Sequence, residues 1–243
     1  MILFIKLFLA HLLGDFLLQP NSWVSHKIVK KQNSIFLYLH SVLHGLLAWL
    51  LVFEKDFWIY ALVITISHGL IDLAKLQFQT EKTKRSWFIF DQFLHLLVLA
   101  AVVILYQNSK IIVFPEIKNH LWIVVTAVIF LTKPTSILIK NIISIWTPDE
   151  NTNADHSLQN AGNYIGILER LFILCFILTG HFEATGFLLG AKSIFRFGDL
   201  RMARDRKLTE YVLIGTLISF GIAIGIGLLA QFFIQNFSVY FLD

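Results

Sequence analysis

A single cysteine, Cys175, stands in 243 residues, so no intramolecular disulfide can form and thiols say nothing about compartment. Charge is scarce as well: 15% of the residues are Asp, Glu, Lys or Arg, against roughly 25% in an ordinary soluble domain. That shortfall excludes a soluble fold. The net charge of +4 is carried by a few connecting segments, which suits lipid headgroups and excludes a nucleic-acid surface. Strand-like alternation broken by turns is missing, which excludes a membrane barrel. The N-terminus lacks the basic stretch of a cleavable signal, and its apolar run continues into His11 and Asp15, so it is expected to stay as a first span.

What the chain has instead is apolar length. Hydrophobic residues make up 56% of it, 23 of them Phe, and the mean hydropathy is +0.70. Since a spanning helix needs about 20 apolar residues, the expected fold is an all-α integral membrane protein of about eight transmembrane helices. They are read over 1–19, 35–53, 57–77, 87–106, 119–139, 161–180, 184–199 and 209–235. Residues 1–110 form a four-span unit, 111–146 a connecting span, 147–160 a polar loop and 161–243 a three-span unit. Lys27, Lys30 and Lys31, then Lys82, Lys84 and Arg85, then Arg201, Arg204, Arg206 and Lys207 fall in alternate connections. The positive-inside bias then places both termini on the non-cytoplasmic side of a bacterial inner membrane.

Four residue pairs stand out against this background: His11/Asp15, His40/His44, His68/Asp72 and Asp91/His95. A spacing of four puts both members on one helix face, and an ionisable side chain without a partner is expensive in lipid. His26 and Asp56, the other His and Asp before residue 100, fall in expected connections, so every His or Asp within the first four spans belongs to a pair. With spans alternating in direction and a rise of about 1.5 Å per residue, all four pairs fall in one layer ~6–14 Å below the cytoplasmic interface. Gly14, Gly45 and Gly69 each adjoin a paired residue, and small residues let membrane helices approach closely. The expected arrangement is a bundle of four helices lined by five histidines and three aspartates.

Histidine and aspartate bind divalent transition metals readily. The eight side chains therefore read as a metal site: His11, Asp15, His40, His44, His68, Asp72, Asp91 and His95. A hydrogen-bonded structural network, a haem site and a proton relay are the other readings of the same residues.

These residues also resemble a family. The run from His11 through Gly14 and Asp15 to Gln19, the His40/His44 pair, the run from His68 to Asp72 with Lys75, and Asp91-Gln92 with His95 look like the bacterial membrane family called domain of unknown function 3307. The likeness covers about residues 1–110. The second half is similar to longer members through Gly162–Arg170, Ala191–Phe197 and Glu210–Thr216. The family name implies placement in a membrane and no activity. A looser likeness, through histidine-bearing spans alone, is to membrane-bound metal-dependent hydrolases.

Eight ligands exceed the four that one zinc takes, so a one- or two-metal centre is expected, with zinc first and manganese or iron as alternatives. The expected activity is hydrolysis of a lipid ester or phosphoester, with Asp15, Asp72 or Asp91 as general base. Gln19 and Gln92 are expected as oxyanion donors or outer partners of the ligands. Lys75, on the face of His68 and Asp72, either binds phosphate or reaches to the interface. Glu169, Arg170, Lys192, Arg196 and Glu210 form a second set, read as ion pairs between spans or as a headgroup pocket. A metal-ion transporter and a bundle with a structural metal are the alternatives to an enzyme. Expected partners are membrane lipids and a small-molecule or lipid substrate.

Overall fold

The computed structural model describes residues 1–109, 119–146, 156–202 and 206–238. Every regular element among the described residues is helical. They are α1 (Ile2–Leu12), α2 (Asn21–Lys30), α3 (Ile35–Val52), α4 (Trp58–Phe78), α5 (Lys84–Ser109), α6 (Asn119–Leu131), α7 (Lys133–Ile143), α8 (His156–Leu178), α9 (Phe182–Met202) and α10 (Arg206–Ser238). Single helical turns of other pitch join several of them. The chain divides into two compact units, Met1–Trp122 and Ile123–Asp243. The polar loop expected over 147–160 lies outside the described residues up to 155, and residues 156–160 already belong to α8.

Four helices among the described residues are long and apolar enough to cross a membrane: Ile35–Val52, Lys55–Phe78, Lys84–Asn108 and Glu210–Asn236. Two bent pairs bring the number to six if each is one crossing. One of these pairs corrects the first expected span. The α-helix ends at Leu12, a π turn runs over Leu13–Leu17, and after Leu18 the chain bends by 82° into α2. Pro20 explains the break, because it has no N–H to continue the ladder and sits in extended backbone (φ −67°, ψ 150°) as the N-cap of α2. The basic stretch read as a connection is therefore a helix.

In the first unit α1 packs on α3, α3 on α4, α4 on α5 and α5 on α1, so the four close a ring. Short connections between α3 and α4 and between α4 and α5 make successive helices antiparallel. The interior has two layers. At one end Leu3, Leu7, Ala48, Phe57, Ile64, Val102 and Tyr106 are among the buried residues of an apolar core. At the other lie the histidines and aspartates. The outside reverses this order, with Leu46, Leu62, Ile66, Leu70, Phe93 and Leu97 exposed. Polar within and apolar without is the pattern of a protein whose solvent is lipid.

Glycine makes the close helix contacts possible. A Cβ on Gly14 would meet the His44 ring at 2.5 Å, and one on Gly45 would meet Thr65 Oγ1 at 1.9 Å and the Ala61 carbonyl at 2.7 Å. Both helix pairs would have to separate to admit a methyl group.

In the second unit α10 packs on α8 and α7, and α8 on α9 and α7. The chain bends by 42° between α6 and α7, where Thr132 leaves helical backbone (φ −85°, ψ −120°) just before Pro134. Breaking a helix frees carbonyls that must find donors when buried. Arg170 on α8 supplies them. Its Nε donates to Leu131 O at 2.7 Å and Nη2 to Thr132 O at 3.3 Å, while Nη2 and Nη1 also donate to Ser136 Oγ (2.7 Å) and Ser219 Oγ (3.1 Å).

Candidate metal centre

All eight paired residues come together inside the ring. His11 is on α1 and Asp15 on the π turn, His40 and His44 on α3, His68 and Asp72 on α4, and Asp91 and His95 on α5. All are buried except Asp15, which is nearly so. The π turn carries Asp15 at the point where α1 changes pitch, and such turns recur at functional sites.

Every imidazole presents Nε2 to a carboxylate or to another ring. Asp15 Oδ1 lies 3.1 Å from His40 Nε2, 3.1 Å from His44 Nε2 and 3.5 Å from His68 Nε2. His11 Nε2 is 3.6 Å from Asp15 Oδ2, and His68 Nε2 is 3.2 Å from His40 Nε2. His95 Nε2 lies 3.5 Å from Asp91 Oδ1 and 3.8 Å from Asp72 Oδ1. Hydrogen bonds alone do not account for this crowding. One neutral imidazole nitrogen carries one proton or one lone pair in its plane, yet His40 Nε2 faces both Asp15 and His68. His44 Nε2, His95 Nε2 and Asp91 Oδ1 are buried with no hydrogen bond of acceptable geometry. Ligand atoms about 2.0–2.1 Å from a common tetrahedral ion stand roughly 3.3 Å apart, which is the spacing found.

Three overlapping groups present ligand atoms within 4.8 Å of one another: His11, Asp15, His44 and His68; then His40, His68 and Asp72; then Asp72, Asp91 and His95. The first has the four N and O donors of a closed tetrahedral site, and the last has three and leaves a position open, as catalytic zinc sites do. A cavity of about 10 Å³ touches the rings of His11, His44, His68 and His95 on one side and Leu7, Ala10, Ala48, Ile64, Val98 and Leu99 on the other. That is space for about one water or ion. The donor set, the orphaned atoms and the void all fit a divalent ion.

The outer partners follow a rule. Each carboxylate has its Oδ2 held by a donor and turns its Oδ1 toward imidazoles. Gln92 Nε2 donates to Asp15 Oδ2 at 2.9 Å and to Asp91 Oδ2 at 3.2 Å. Lys75 Nζ donates to Asp91 Oδ2 at 2.8 Å, and Lys27 Nζ to Asp72 Oδ2 at 2.6 Å. Gln92 Oε1 lies 3.2 Å from His11 Nε2. Holding one carboxylate oxygen leaves the other as a single directed ligand, the usual work of outer partners in metal sites.

Lys27 is the residue that sequence reasoning placed elsewhere, in a connection as an orientation charge. It is 6% exposed. Trp23 stacks on Phe36 with centroids 5.1 Å apart, and the His26 ring nitrogen is 2.7 Å from Ser34 Oγ, so α2 is fastened to the start of α3 with Lys27 turned inward. The signal was the run Asn21–Lys30 directly after a proline, where helices start. Lys75 pairs with Asp91 and does not reach the interface unpartnered. Gln19 lies past the π turn, its Nε2 buried without a partner. Ser41 and Ser67 adjoin two of the pairs, but their hydroxyls donate to the carbonyls of Leu37 and Val63 on their own helices, which leaves water as the nucleophile nearest at hand.

The second set is partly brought together. Lys192 Nζ lies 2.5 Å from Glu169 Oε2, an ion pair between α9 and α8. Arg170 departs from the ion-pair expectation, being held by carbonyls and hydroxyls as described above. Glu210 is exposed, and the Arg196 side chain lies outside the described residues.

Fold and site together define an all-helical protein, with helices long and apolar enough for a membrane, that gathers five imidazoles and three carboxylates from four helices in its interior. Residues 3–121 match the family described as "Protein of unknown function (DUF3307)", and through this N-terminal unit the chain belongs to that family. No curated protein and no solved structure matches it.

Proposed function

We propose that the protein is an integral-membrane hydrolase that uses one or two divalent ions, zinc first and manganese or iron as alternatives, to cleave a lipid ester or phosphoester. One observation carries the reading: each of three buried carboxylates has one oxygen held by Gln92, Lys27 or Lys75 and offers the other to converging imidazoles. A structural network would be expected to satisfy its own members, whereas here His44 Nε2, His95 Nε2 and Asp91 Oδ1 stay unsatisfied. Bound there, a divalent ion supplies a water of lowered pKa and polarises the oxygen of the scissile group.

His11, Asp15, His44 and His68 suit the closed site, and Asp72, Asp91 and His95 the open one, with His40 next to both. In the overall reaction the oxygen of water bonds to the acyl carbon or phosphorus, the bond to the alcohol oxygen breaks, and the departing oxygen takes one proton. Of the three aspartates, Asp91 supports the base role best, since its Oδ1 has no hydrogen-bond partner. The reading includes eight crossings, with α8 and α9 among them, in a bacterial inner membrane with both termini outside. The exposed Lys30, Lys31, Lys82 and Lys84 then lie at the cytoplasmic face beside the site.

A transporter for metal ions is the second reading, favoured by the break at Leu18–Pro20 next to the cluster, since broken helices line transport sites. The test is metal content per chain by mass spectrometry on detergent-purified protein kept from chelators, followed by ester and phosphoester turnover and by ion flux in proteoliposomes. Retained metal at about one to two per chain with turnover supports the hydrolase. Flux without turnover supports the transporter, and a metal-free chain overturns both.

A further inference from the structure

The metal layer has a second polar group at its mouth that the reading above uses only as outer partners. An ammonium has three donor hydrogens and a side-chain amide two. Lys27 Nζ uses one on Asp72, and Lys75 Nζ one on Asp91, with the Phe88 ring 5.7 Å from Lys75 Nζ. Two hydrogens remain on each. Gln19 Nε2, also buried, uses neither of its own. The carboxylates gripped by the two lysines present oxygens within 4.8 Å of one another, so both ammonium groups border the same open ligand group of Asp72, Asp91 and His95. All three donors come from the end of the ring bounded by the π turn, α2 and the last turns of α4, opposite the apolar core.

Charge gives this arrangement a direction. With neutral imidazoles, Asp15, Asp72 and Asp91 against Lys27 and Lys75 leave the buried site with one net negative charge. One divalent ion turns that to one net positive charge, and two turn it to three. A buried surplus of that size demands a counter-anion, because an uncompensated charge in such surroundings costs several kcal/mol. A carboxylic ester is neutral and supplies none, whereas a phosphoryl group supplies one or two negative charges and several acceptor oxygens for the remaining donors. Lysines are well suited to this as compact point charges.

We infer that Lys27, Lys75 and Gln19 form an anion pocket beside the open metal position and that the site takes a phosphoryl group, so its substrate is a phosphoester. This rests on the metal reading and narrows it. The phosphoryl group belongs either to a phospholipid headgroup or to a soluble phosphoester.

The test uses the full chain in detergent, loaded with saturating zinc, its metal content measured first, and titrated calorimetrically with inorganic phosphate. Wild type is expected to bind phosphate when metal-loaded and not when stripped. Lys27→Gln and Lys75→Gln are each expected to weaken phosphate by about tenfold or more at unchanged metal stoichiometry, with Lys27→Arg restoring most of the loss. A lysine that only orients its aspartate would lower zinc affinity and leave phosphate binding to the loaded site untouched. Metal-loaded wild type that ignores phosphate, or variants that bind it like wild type, overturn the pocket while the metal reading stands. A chain that holds no zinc overturns both. Competition by short-chain phosphatidic acid but not by glycerol phosphate assigns the pocket to a lipid headgroup, and the reverse assigns it to a soluble phosphoester.

Discussion

Lys27 and Asp72 meet through a 2.6 Å contact between a helix that bends away from α1 and a helix of the ring, 45 residues apart in sequence. Neither partner is in water, so the pair is worth most when intact and is costly to halve: removing one member of a buried pair typically costs about 3–5 kcal/mol. Lys27→Met is therefore expected to lower the thermal midpoint of the metal-free protein, with Lys27→Met/Asp72→Leu less destabilised than Lys27→Met alone. Unfolding followed by intrinsic fluorescence in detergent checks this. Equal midpoints for wild type and Lys27→Met would show that the contact contributes nothing.

Asp72 belongs to two of the three ligand groups, as does His68, whereas His40 belongs to one. Asp72→Ala and His68→Ala should therefore abolish metal retention on gel filtration, and His40→Ala should reduce it partially. The measurement is metal per chain after a fixed number of buffer exchanges. Normal retention by Asp72→Ala would remove that residue from the site.

Metal bound to the folded chain must stabilise it. At a free concentration one hundred times the dissociation constant the linkage amounts to about 2.7 kcal/mol per ion. A chelator is expected to lower the melting midpoint and added zinc to restore it, in wild type and not in Asp72→Ala. A midpoint indifferent to chelator would argue for a network without an ion.

Gly14→Ala places a methyl group within 2.5 Å of the His44 ring. Overpacking of this kind costs about 1–3 kcal/mol, and here it also displaces a ligand. The variant should lose both stability and metal affinity, while Gly162→Ala, whose Cβ would meet nothing within 4 Å, should lose neither.

Arg170 ties four acceptors at the break between α6 and α7. Arg170→Lys keeps the charge but not the planar fork, and should fail to rescue. Both Arg170→Lys and Arg170→Met are expected to be destabilised by about 2 kcal/mol or more, with metal content unchanged because every ligand lies in the first unit. Loss of metal in either variant would contradict that separation.

Much of the first unit was legible in the order of its residues. Pairs spaced by four mark a helix face, and in an apolar segment a His or Asp cannot be left facing lipid, so its place in the interior follows from composition and spacing alone. The residues that hold those ligands were less legible. Gln92 and Lys75 stood within a turn of a paired residue and could be guessed. Lys27 could not, since a lysine after a predicted span reads as an orientation charge until the 82° bend is known.

The sequence by itself determined that the chain is helical, apolar outside and polar within, because each ionisable group in a lipid-length helix must find a partner there. Only the tertiary structure decided which partner. The π turn at Asp15, the bend that folds Lys27 back onto Asp72 and the capping of a broken helix by Arg170 all join residues at least 34 positions apart or change the pitch of a helix between neighbours. Such contacts are set by how helices pack around Gly14 and Gly45 and by where a proline removes a donor, and no local period in the sequence encodes them.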